Sequence, residues 1–265
     1  MKGWSVRSII LAAIATALLV SAAQADVTVI APGVTGNSGL PEVAAAFTKK
    51  TGIKVIRKGG GMASMIKDVE TATPAADIFF LPMELSGRIA LDGFVKGPLI
   101  PLARVDIGLF KKPEAPMPDI STVPKLIAVL KAASAVLYSD PKSGSMQANM
   151  SGELLARPDL AAAGIKGQPV NGDAEPALKA GQGDAHALGL GLIHGVHSPD
   201  NKPTDNPYLV GELPAELLMH IDAIAGVSNR GTGDPKDVQA FMDYLQSPEA
   251  VAIWKARGSY RFQTK

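Results

Sequence analysis

The polar turn from Ser139 to Ser145 carries the side chains best suited to bind an anion. Ser143 and Ser145 offer hydroxyl groups, with Gly144 between them. A helix is predicted to begin directly after this turn, and the first amides of a helix have no intrahelical partner. Hydroxyls and amides together can donate hydrogen bonds to a carboxylate. The same serines are equally suited to cap the helix, so both interpretations stay open.

Two further turns have the same character, because each follows a predicted strand and opens a predicted helix. One covers residues 33–38, and the other is a run of three glycines at residues 59–61. In open parallel sheets, ligands bind at the carboxyl ends of the strands, where such turns lie. The residues predicted to contact a ligand there are Val34, Thr35, Gly60, Gly61 and Met62.

Three basic side chains lie close to these turns in the sequence and can supply positive charge to an anion site. Lys58 precedes the glycine run, Lys142 opens the serine-containing turn, and Arg230 follows the last predicted strand. For either lysine, a solvent-exposed position without ligand contact is the simpler interpretation. We count Lys142 and Arg230 among the predicted ligand-binding residues.

Two residues are candidates for a general base if the protein is an enzyme. Glu84 follows the third predicted strand, whose carboxyl end is expected to border a ligand cleft. His186 lies within a predicted strand at residues 185–193. A base must lie within hydrogen-bond reach of the proton that it removes. For Glu84, a solvated helix start is the alternative interpretation.

Motifs of the common catalytic and cofactor classes are absent from the sequence. It contains no Walker loop, no G-x-S-x-G elbow and no H-E-x-x-H. The glycine run lacks the spacing of a dinucleotide site. His194 and His197 form H-x-x-H, but zinc requires further ligands and a positioned outer shell. We therefore predict neither a metal nor a cofactor.

The N-terminus predicts export. Lys2 and Arg7 precede an apolar run from Ile9 to Ala22, and Ala23-Gln24-Ala25 has the form of a signal-peptidase site. The run is shorter than the roughly 20 apolar residues of a membrane-spanning helix. We predict a signal peptide over residues 1–25, cleavage after Ala25 and a periplasmic location.

Composition restricts the remaining possibilities. The signal peptide takes two basic residues with it, which leaves 24 basic and 25 acidic side chains in the mature chain. Such a balance favours neither nucleic acid nor an anionic membrane as a partner. The chain has no cysteine, so packing alone must hold it together.

The order of predicted elements indicates an α/β fold. Short β-branched runs near residues 27–31, 53–56 and 77–81 alternate with helices whose apolar residues recur at a 3.6-residue spacing. This βαβαβ order favours a parallel sheet with helices on both faces.

Several short motifs occur in an order that identifies a relationship over nearly all of the mature chain. The sequence resembles the periplasmic molybdate-binding proteins, within the type II superfamily of solute-binding proteins. The motifs that carry the resemblance are Val27–Ala31, Phe47–Val55, Pro74–Phe79, Asp140-Pro141, Gly183–Ala185, Glu212–Pro214 and Phe241–Ala250.

The resemblance implies two α/β lobes joined by two crossing strands, with a ligand cleft between them. The first lobe would comprise residues 26–105, the second residues 106–225, and residues 226–265 would return to the first lobe. The chain would cross near Val105–Leu109 and again near Ile221–Val227. The implied partners are a small-molecule anion, an ABC permease and an ATPase, and the protein is expected to be a monomer.

The sequence departs from the molybdate-binding pattern where that family binds its oxyanion with hydroxyl groups. Val34 or Thr35 replaces the first serine, Gly61-Met62-Ala63 replaces the serine-rich second turn, and Gly191 stands near the tyrosine position. A buried dianion needs most of its oxygens hydrogen-bonded. We therefore expect an organic anion, a di- or tricarboxylate, rather than molybdate.

Two functions remain open for such a cleft. The first is a substrate-binding protein of an ABC importer. The alternative is a periplasmic isomerase on the same scaffold, similar to the aconitate isomerases, which would interconvert trans- and cis-aconitate by moving an allylic proton with Glu84 or His186 as base. Both functions need the same carboxylate-binding residues, and fold alone does not decide between them.

Overall fold

The computed structural model describes residues 26–33, 35, 39–193, 206–257 and 259. The predicted signal peptide, Val34, His194 and His197 lie outside these described residues. Among the residues that the structure does describe, no helix is both long and apolar enough to cross a membrane.

The first lobe is built on three parallel strands. The three strands are β1 (Val27–Ile30), β2 (Val55–Lys58) and β3 (Ile78–Pro82). Its helices are α1 (Leu40–Thr51), α2 (Met62–Thr71) and α3 (Met83–Leu91), with the late helices α8 (Pro235–Tyr244) and α9 (Pro248–Ala256). Because β1, β2 and β3 run parallel, their carboxyl ends share one edge of the sheet.

Helix α1 shows how the sequence pattern produces this lobe. Leu40, Val43 and Phe47 are buried on one face of the helix, at the spacing that the sequence predicted. The helix ends where Gly52 adopts the left-handed conformation at φ 82°, which costs glycine little. Phe47 then packs against Phe241 of α8, with ring centroids 5.0 Å apart.

The second lobe contains the middle of the chain. Its strands are β5 (Val136–Ser139), β6 (Gly167–Val170), β7 (Leu188–Leu192) and β8 (Leu209–Glu212). Its helices are α4 (Val123–Ala132), α5 (Met146–Ala156), α6 (Pro158–Ala162) and α7 (Ala174–Lys179), with 3₁₀ turns at Pro141–Ser143 and Ala215–Leu217. Strand β5 runs parallel to both β6 and β7, so their carboxyl ends also share one edge.

Two long antiparallel strands, β4 (Val95–Lys111) and β9 (His220–Ser228), connect the lobes. The first part of β4 pairs with β9 as far as Asp106, and from Ile107 onwards β4 pairs with β7. The sheet therefore continues through both lobes in the order β2-β1-β3-β9-β4-β7-β5-β6. This is the predicted two-lobed α/β architecture with two crossing strands.

Each lobe has its own buried apolar core. In the first lobe, Phe47, Phe80, Phe241 and Trp254 belong to one cluster of buried side chains. In the second lobe, the main cluster contains leucines of α4 and β7 together with Leu109 of β4. Packing within each lobe supplies the apolar burial that a chain without cysteine needs.

A buried carboxylate fixes the start of β3. Asp77 accepts hydrogen bonds from the amide and hydroxyl of Thr28 at 2.8 and 2.7 Å, and from the amide of Gly233 at 2.6 Å. A Cβ atom at position 233 would lie 2.8 Å from the Asp77 carboxyl carbon, so only glycine permits this approach. The contact ties the loop after β9 to β1 and β3.

Candidate functional site

A cavity of about 280 Å³ lies where the two lobes meet; we call it the cleft cavity. It is lined from the first lobe by Pro32, Gly33, Gly60, Gly61, Met62, Met65 and Pro82. From the second lobe it is lined by Ser143, Gly144, Ser145, Met146, Gln147, Asp173 and Leu192, and from β9 by Ile221. The glycine run and the serine-containing turn, which lie more than 80 residues apart in sequence, thus face one space.

Four helices begin at the cleft cavity, because the residue before each of them lines it. Helix α2 begins after Gly61, α3 after Pro82, α5 after Ser145 and α7 after Asp173. The helices α2, α3 and α7 have no side-chain hydrogen bond at their N-cap residue. Their first-turn amides therefore direct partial positive charge towards this space.

Helices that begin elsewhere are mixed, because α1 and α6 also have no side-chain cap at Gly39 and Arg157, whereas three others are capped. The side chains of Thr122, Asp234 and Ser247 cap α4, α8 and α9 respectively, and none of these residues lines the cleft cavity. Since N-terminal amides are normally satisfied by a cap or by water, a bound anion can take the place of the missing caps at the cleft.

The two predicted serines have different structural roles. Ser145 caps α5, because its Oγ accepts the amide of Ala148 at 3.2 Å. The Ser143 hydroxyl donates to the Ser145 Oγ at 3.3 Å and its own oxygen accepts the Ser145 amide at 3.3 Å. Both serines are exposed to the cleft cavity. The capping interpretation thus holds for Ser145 and does not account for Ser143.

Behind the serines lies a polar chain of contacts that the sequence did not reveal. The buried Gln147 donates from Nε2 to the Ser139 hydroxyl at 3.1 Å, and Ser139 in turn donates to the Asp173 carboxylate at 3.4 Å. Gln147 and Asp173 both line the cleft cavity. Asp173 follows the short strand β6, so the rule of carboxyl strand ends would have found it had β6 been predicted.

The charge of the cleft cavity is unusual for an anion site. Among the described residues that line it, Asp173 is the charged side chain and no lysine or arginine is present. An acid group in this space would therefore be bound by helix amides and hydroxyls rather than by an ion pair.

A second, larger space of about 710 Å³ adjoins the first; we call it the adjoining cavity. Four residues line both spaces, namely Met62, Gly144, Met146 and Ile221. The adjoining cavity is completed by Glu84, Arg104, Asn149, Met150, Glu153, Leu218, His220 and Asp222. Arg104 and Asp222 are paired across β4 and β9, and the guanidinium makes two hydrogen bonds of 2.7 Å to the carboxylate.

The structure places three of the predicted ligand-binding residues away from the cleft cavity. Lys142 is exposed outside its lining. The Thr35 hydroxyl donates to the Pro32 carbonyl at 2.9 Å and is buried. Arg230 donates to the carbonyls of Glu70 and Ala72 at 2.7 and 3.1 Å, where it binds the last carbonyls of α2. Lys58, at the end of β2, does not line it either.

The two candidate bases also lie apart. Glu84 is exposed and lines the adjoining cavity, not the cleft cavity. His186 precedes β7, which begins only at Leu188, and β7 is parallel to β5. His186 therefore lies at the amino end of the strands, opposite the serine-containing turn. There its amide donates to Asp184, whose pKa is lowered by the Ser134 hydroxyl and by this amide.

The described residues contain no group of three histidine, cysteine, aspartate or glutamate side chains that could hold a metal ion. The predicted H-x-x-H pair lies outside this part of the chain. The cleft cavity itself offers hydrogen-bond donors to an acid group and has apolar side chains beside them.

Comparison with known proteins identifies the family. The model of the bacterial extracellular solute-binding proteins matches residues 27–259, which is nearly all of the chain after the predicted signal peptide. The chain therefore belongs to this family, whose members are extracellular proteins that bind a solute. No curated protein matches the chain in a sequence search.

Solved structures show the same fold at low sequence identity. The periplasmic molybdate-binding protein of Azotobacter vinelandii is 20% identical with a TM-score of 0.65, and the match covers 90% of this chain and 100% of that one. PEB3 of Campylobacter jejuni with L-phospholactate bound is 18% identical, with a TM-score of 0.58 and coverage of 89% and 100%. The tungstate-binding protein TupA of Desulfovibrio alaskensis is 14% identical, with a TM-score of 0.59 and coverage of 86% and 92%.

Proposed function

We propose that this protein binds a small organic anion in the cleft cavity and delivers it, as a monomer, to an ABC permease and its ATPase in the inner membrane. The observation that carries the proposal is the pair of uncapped helix starts at Gly61 and Pro82, which meet the Ser143 and Ser145 hydroxyls around one space. Amides and hydroxyls are the donors that bind an acid group without a cation.

The lining favours an organic anion over a metal oxyanion. At the second turn, Gly61 and Met62 present no hydroxyl, and near the family's tyrosine position Gly191 has no side chain and lies next to Phe110 and Gln147. A tetrahedral dianion would therefore lose the hydroxyl donors that the family supplies at these two positions. The structure of PEB3 with L-phospholactate illustrates that a protein of this fold binds a small organic anion.

The enzyme alternative receives no support from the placement of its candidate bases. Glu84 lines the adjoining cavity, and His186 lies at the opposite end of the strands from the serines. The isomerase hypothesis remains testable by incubating the protein with trans-aconitate and following the formation of cis-aconitate by NMR. Turnover that is lost in Glu84→Gln would replace the transport proposal with catalysis.

The transport proposal is tested by ligand binding to the mature protein. We expect organic acids to raise the melting temperature, whereas molybdate, tungstate and inorganic phosphate leave it unchanged. A ligand at a hundred times its Kd stabilises the folded state by about 2.7 kcal/mol, which a thermal-shift assay detects. Calorimetry should then give a stoichiometry of one with the ligand recovered unaltered. Tight molybdate binding would show that the site is an oxyanion site after all.

A further inference from the structure

We infer that the ligand carries a single acid group on an apolar body, rather than the two or three acid groups expected from the sequence. The inference rests on the proposed function, since it assumes that the helix starts bind one acid group. The evidence is the character of the residues that line both the cleft cavity, where the acid group would bind, and the adjoining cavity.

The two cavities are neighbours, and together they would accommodate a ligand longer than an oxyanion. Met62 from the first lobe and Met146 from the second line both spaces, as does Ile221 of β9. Spaces of a few hundred Å³ or more accommodate organic ligands of substantial size. A molecule whose acid group lies at the helix starts would therefore extend past these side chains into the larger space.

The residues that line both cavities are apolar, and the rest of the adjoining cavity combines apolar side chains with polar and charged ones. Beyond Met62, Met146 and Ile221, the adjoining cavity adds Met150 and Leu218. Methionine side chains are flexible and polarisable, so they adapt their surface to apolar groups of different shape. Leu218 is 70% exposed and adopts φ 52°, a conformation that a leucine rarely holds. An exposed leucine in such a conformation at the cavity wall is available for apolar contact with a ligand.

The charges of the adjoining cavity oppose a second acid group. Glu84 and Glu153 are exposed carboxylates in its lining, and a ligand carboxylate would be repelled by both. The guanidinium of Arg104 does not offset them, because its charge is matched by the two hydrogen bonds to Asp222. A cationic tail would gain an attraction of the same modest size, but its ammonium would lose hydration beside the apolar wall, so an apolar tail keeps the advantage.

The test compares ligands that differ only at the end remote from the acid group. Pentanoate, 4-aminobutanoate and glutarate share one carboxylate and end in a methyl, an ammonium and a second carboxylate. Their binding to the mature protein is measured by calorimetry, together with the straight-chain series from acetate to octanoate and the corresponding alkylphosphonates. We expect pentanoate to bind best and glutarate worst. Affinity should rise about fourfold for each buried methylene until the wall is covered.

Two variants locate the tail on the proposed wall. Met62→Gln keeps the length of the side chain but makes it polar. Leu218→Asn removes an exposed apolar side chain and suits the left-handed backbone, so the fold is not at risk. Each should weaken octanoate at least fivefold, and Leu218→Asn, which lies outside the cleft cavity, should leave acetate unchanged. Met117→Gln is the matched control, because Met117 is 64% exposed and lines neither cavity.

The outcomes separate this inference from the function on which it rests. If glutarate or 4-aminobutanoate binds best, or if affinity does not depend on chain length, the apolar-tail inference is wrong while anion binding stands. If no carboxylate and no phosphonate binds, both the proposed function and this inference are overturned. If Met62→Gln and Leu218→Asn behave like Met117→Gln towards octanoate, the tail does not lie on this wall.

Discussion

Ser145 and Ser247 form a matched pair of residues that separates helix capping from ligand binding. In both, the Oγ atom accepts the amide three residues further on at 3.2 Å, for α5 and α9 respectively. Only Ser145 lines the cleft cavity. Ser143 provides the complementary case, because it lines the same cavity but caps no α-helix.

Alanine substitutions at these three positions should therefore have distinct effects. Ser145→Ala and Ser247→Ala should each lower the free energy of unfolding by about 1 kcal/mol, since each removes an N-cap. Ser143→Ala should leave it unchanged. A hydrogen bond to a charged group contributes about 1.5–3 kcal/mol, so Ser143→Ala and Ser145→Ala should each weaken the acid ligand roughly 10-fold or more. Urea unfolding and calorimetry measure the two quantities.

Ser247→Ala is the control, and its affinity should equal that of the wild type. If all three variants bind the acid ligand as tightly as the wild type, Ser143 and Ser145 have only a structural role. A loss of affinity in Ser247→Ala would mean that stability, not contact, controls binding.

At this scale the sequence predicted the turns that line the cleft cavity better than it predicted the individual side chains there. Gly60, Gly61 and Met62 line the cleft cavity, as do Ser143 and Ser145, because the ends of parallel strands share an edge. Arg230 instead binds carbonyls at the end of α2, a helix that ends more than 150 residues earlier in the chain. Sequence spacing contains no information on such a long-range neighbour.

Between elements, Asp77 is the residue whose contacts can be tested most sharply. Its carboxylate accepts three hydrogen bonds from Thr28 and Gly233 and is 3% exposed. It thus holds β1, β3 and the loop after β9 together. Asp234, by contrast, is exposed and accepts one hydrogen bond, from the Lys236 amide at 2.7 Å, as the N-cap of α8.

We expect Asp77→Asn to lower the free energy of unfolding by about 2–3 kcal/mol. The amide that replaces one carboxylate oxygen would face a donor, so at least one charge-assisted hydrogen bond is lost in a buried place. Asp234→Asn should change stability by only a few tenths of a kcal/mol, because asparagine is an equally good N-cap. Urea unfolding of both variants compares them directly. Equal stabilities would remove Asp77 from the contacts that hold these elements together.

The elements themselves were largely predictable from periodicity, and the exceptions have physical causes. Strand β4 was located only near its end, because Gly97, Pro98 and Pro101 interrupt its first half and coincide with shifts in its pairing with β9. Proline within a run argues against a strand when only sequence is considered. Strand β6 is short and mostly exposed, so no alternation of apolar residues marks it.

For the whole molecule, binding between two lobes implies that they approach each other when a ligand is present. The lobes are joined by β4 and β9. When two domains close around a ligand, the backbone angles change mainly at such connecting segments. Helix α3 belongs to the first lobe and α5 to the second, and their exposed residues Glu84 and Glu153 line the adjoining cavity from opposite sides. Since the natural chain has no cysteine, one introduced pair can form only one disulfide.

The double variant Glu84→Cys/Glu153→Cys should therefore report closure. A disulfide requires Cα atoms about 4.4–6.8 Å apart, a condition that we expect the closed cleft to satisfy more often than the open one. We expect the tightest-binding acid to accelerate the oxidation of this pair severalfold, which is measured as the loss of free thiols. The oxidised protein should then release its ligand more slowly. Glu84→Cys/Glu114→Cys is the control, because Glu114 lies in the exposed loop before α4 and lines neither cavity. If the ligand does not change the oxidation rate of the test pair, or changes both pairs alike, the lobes do not close over it, and the helix starts must bind an acid that stays accessible to solvent.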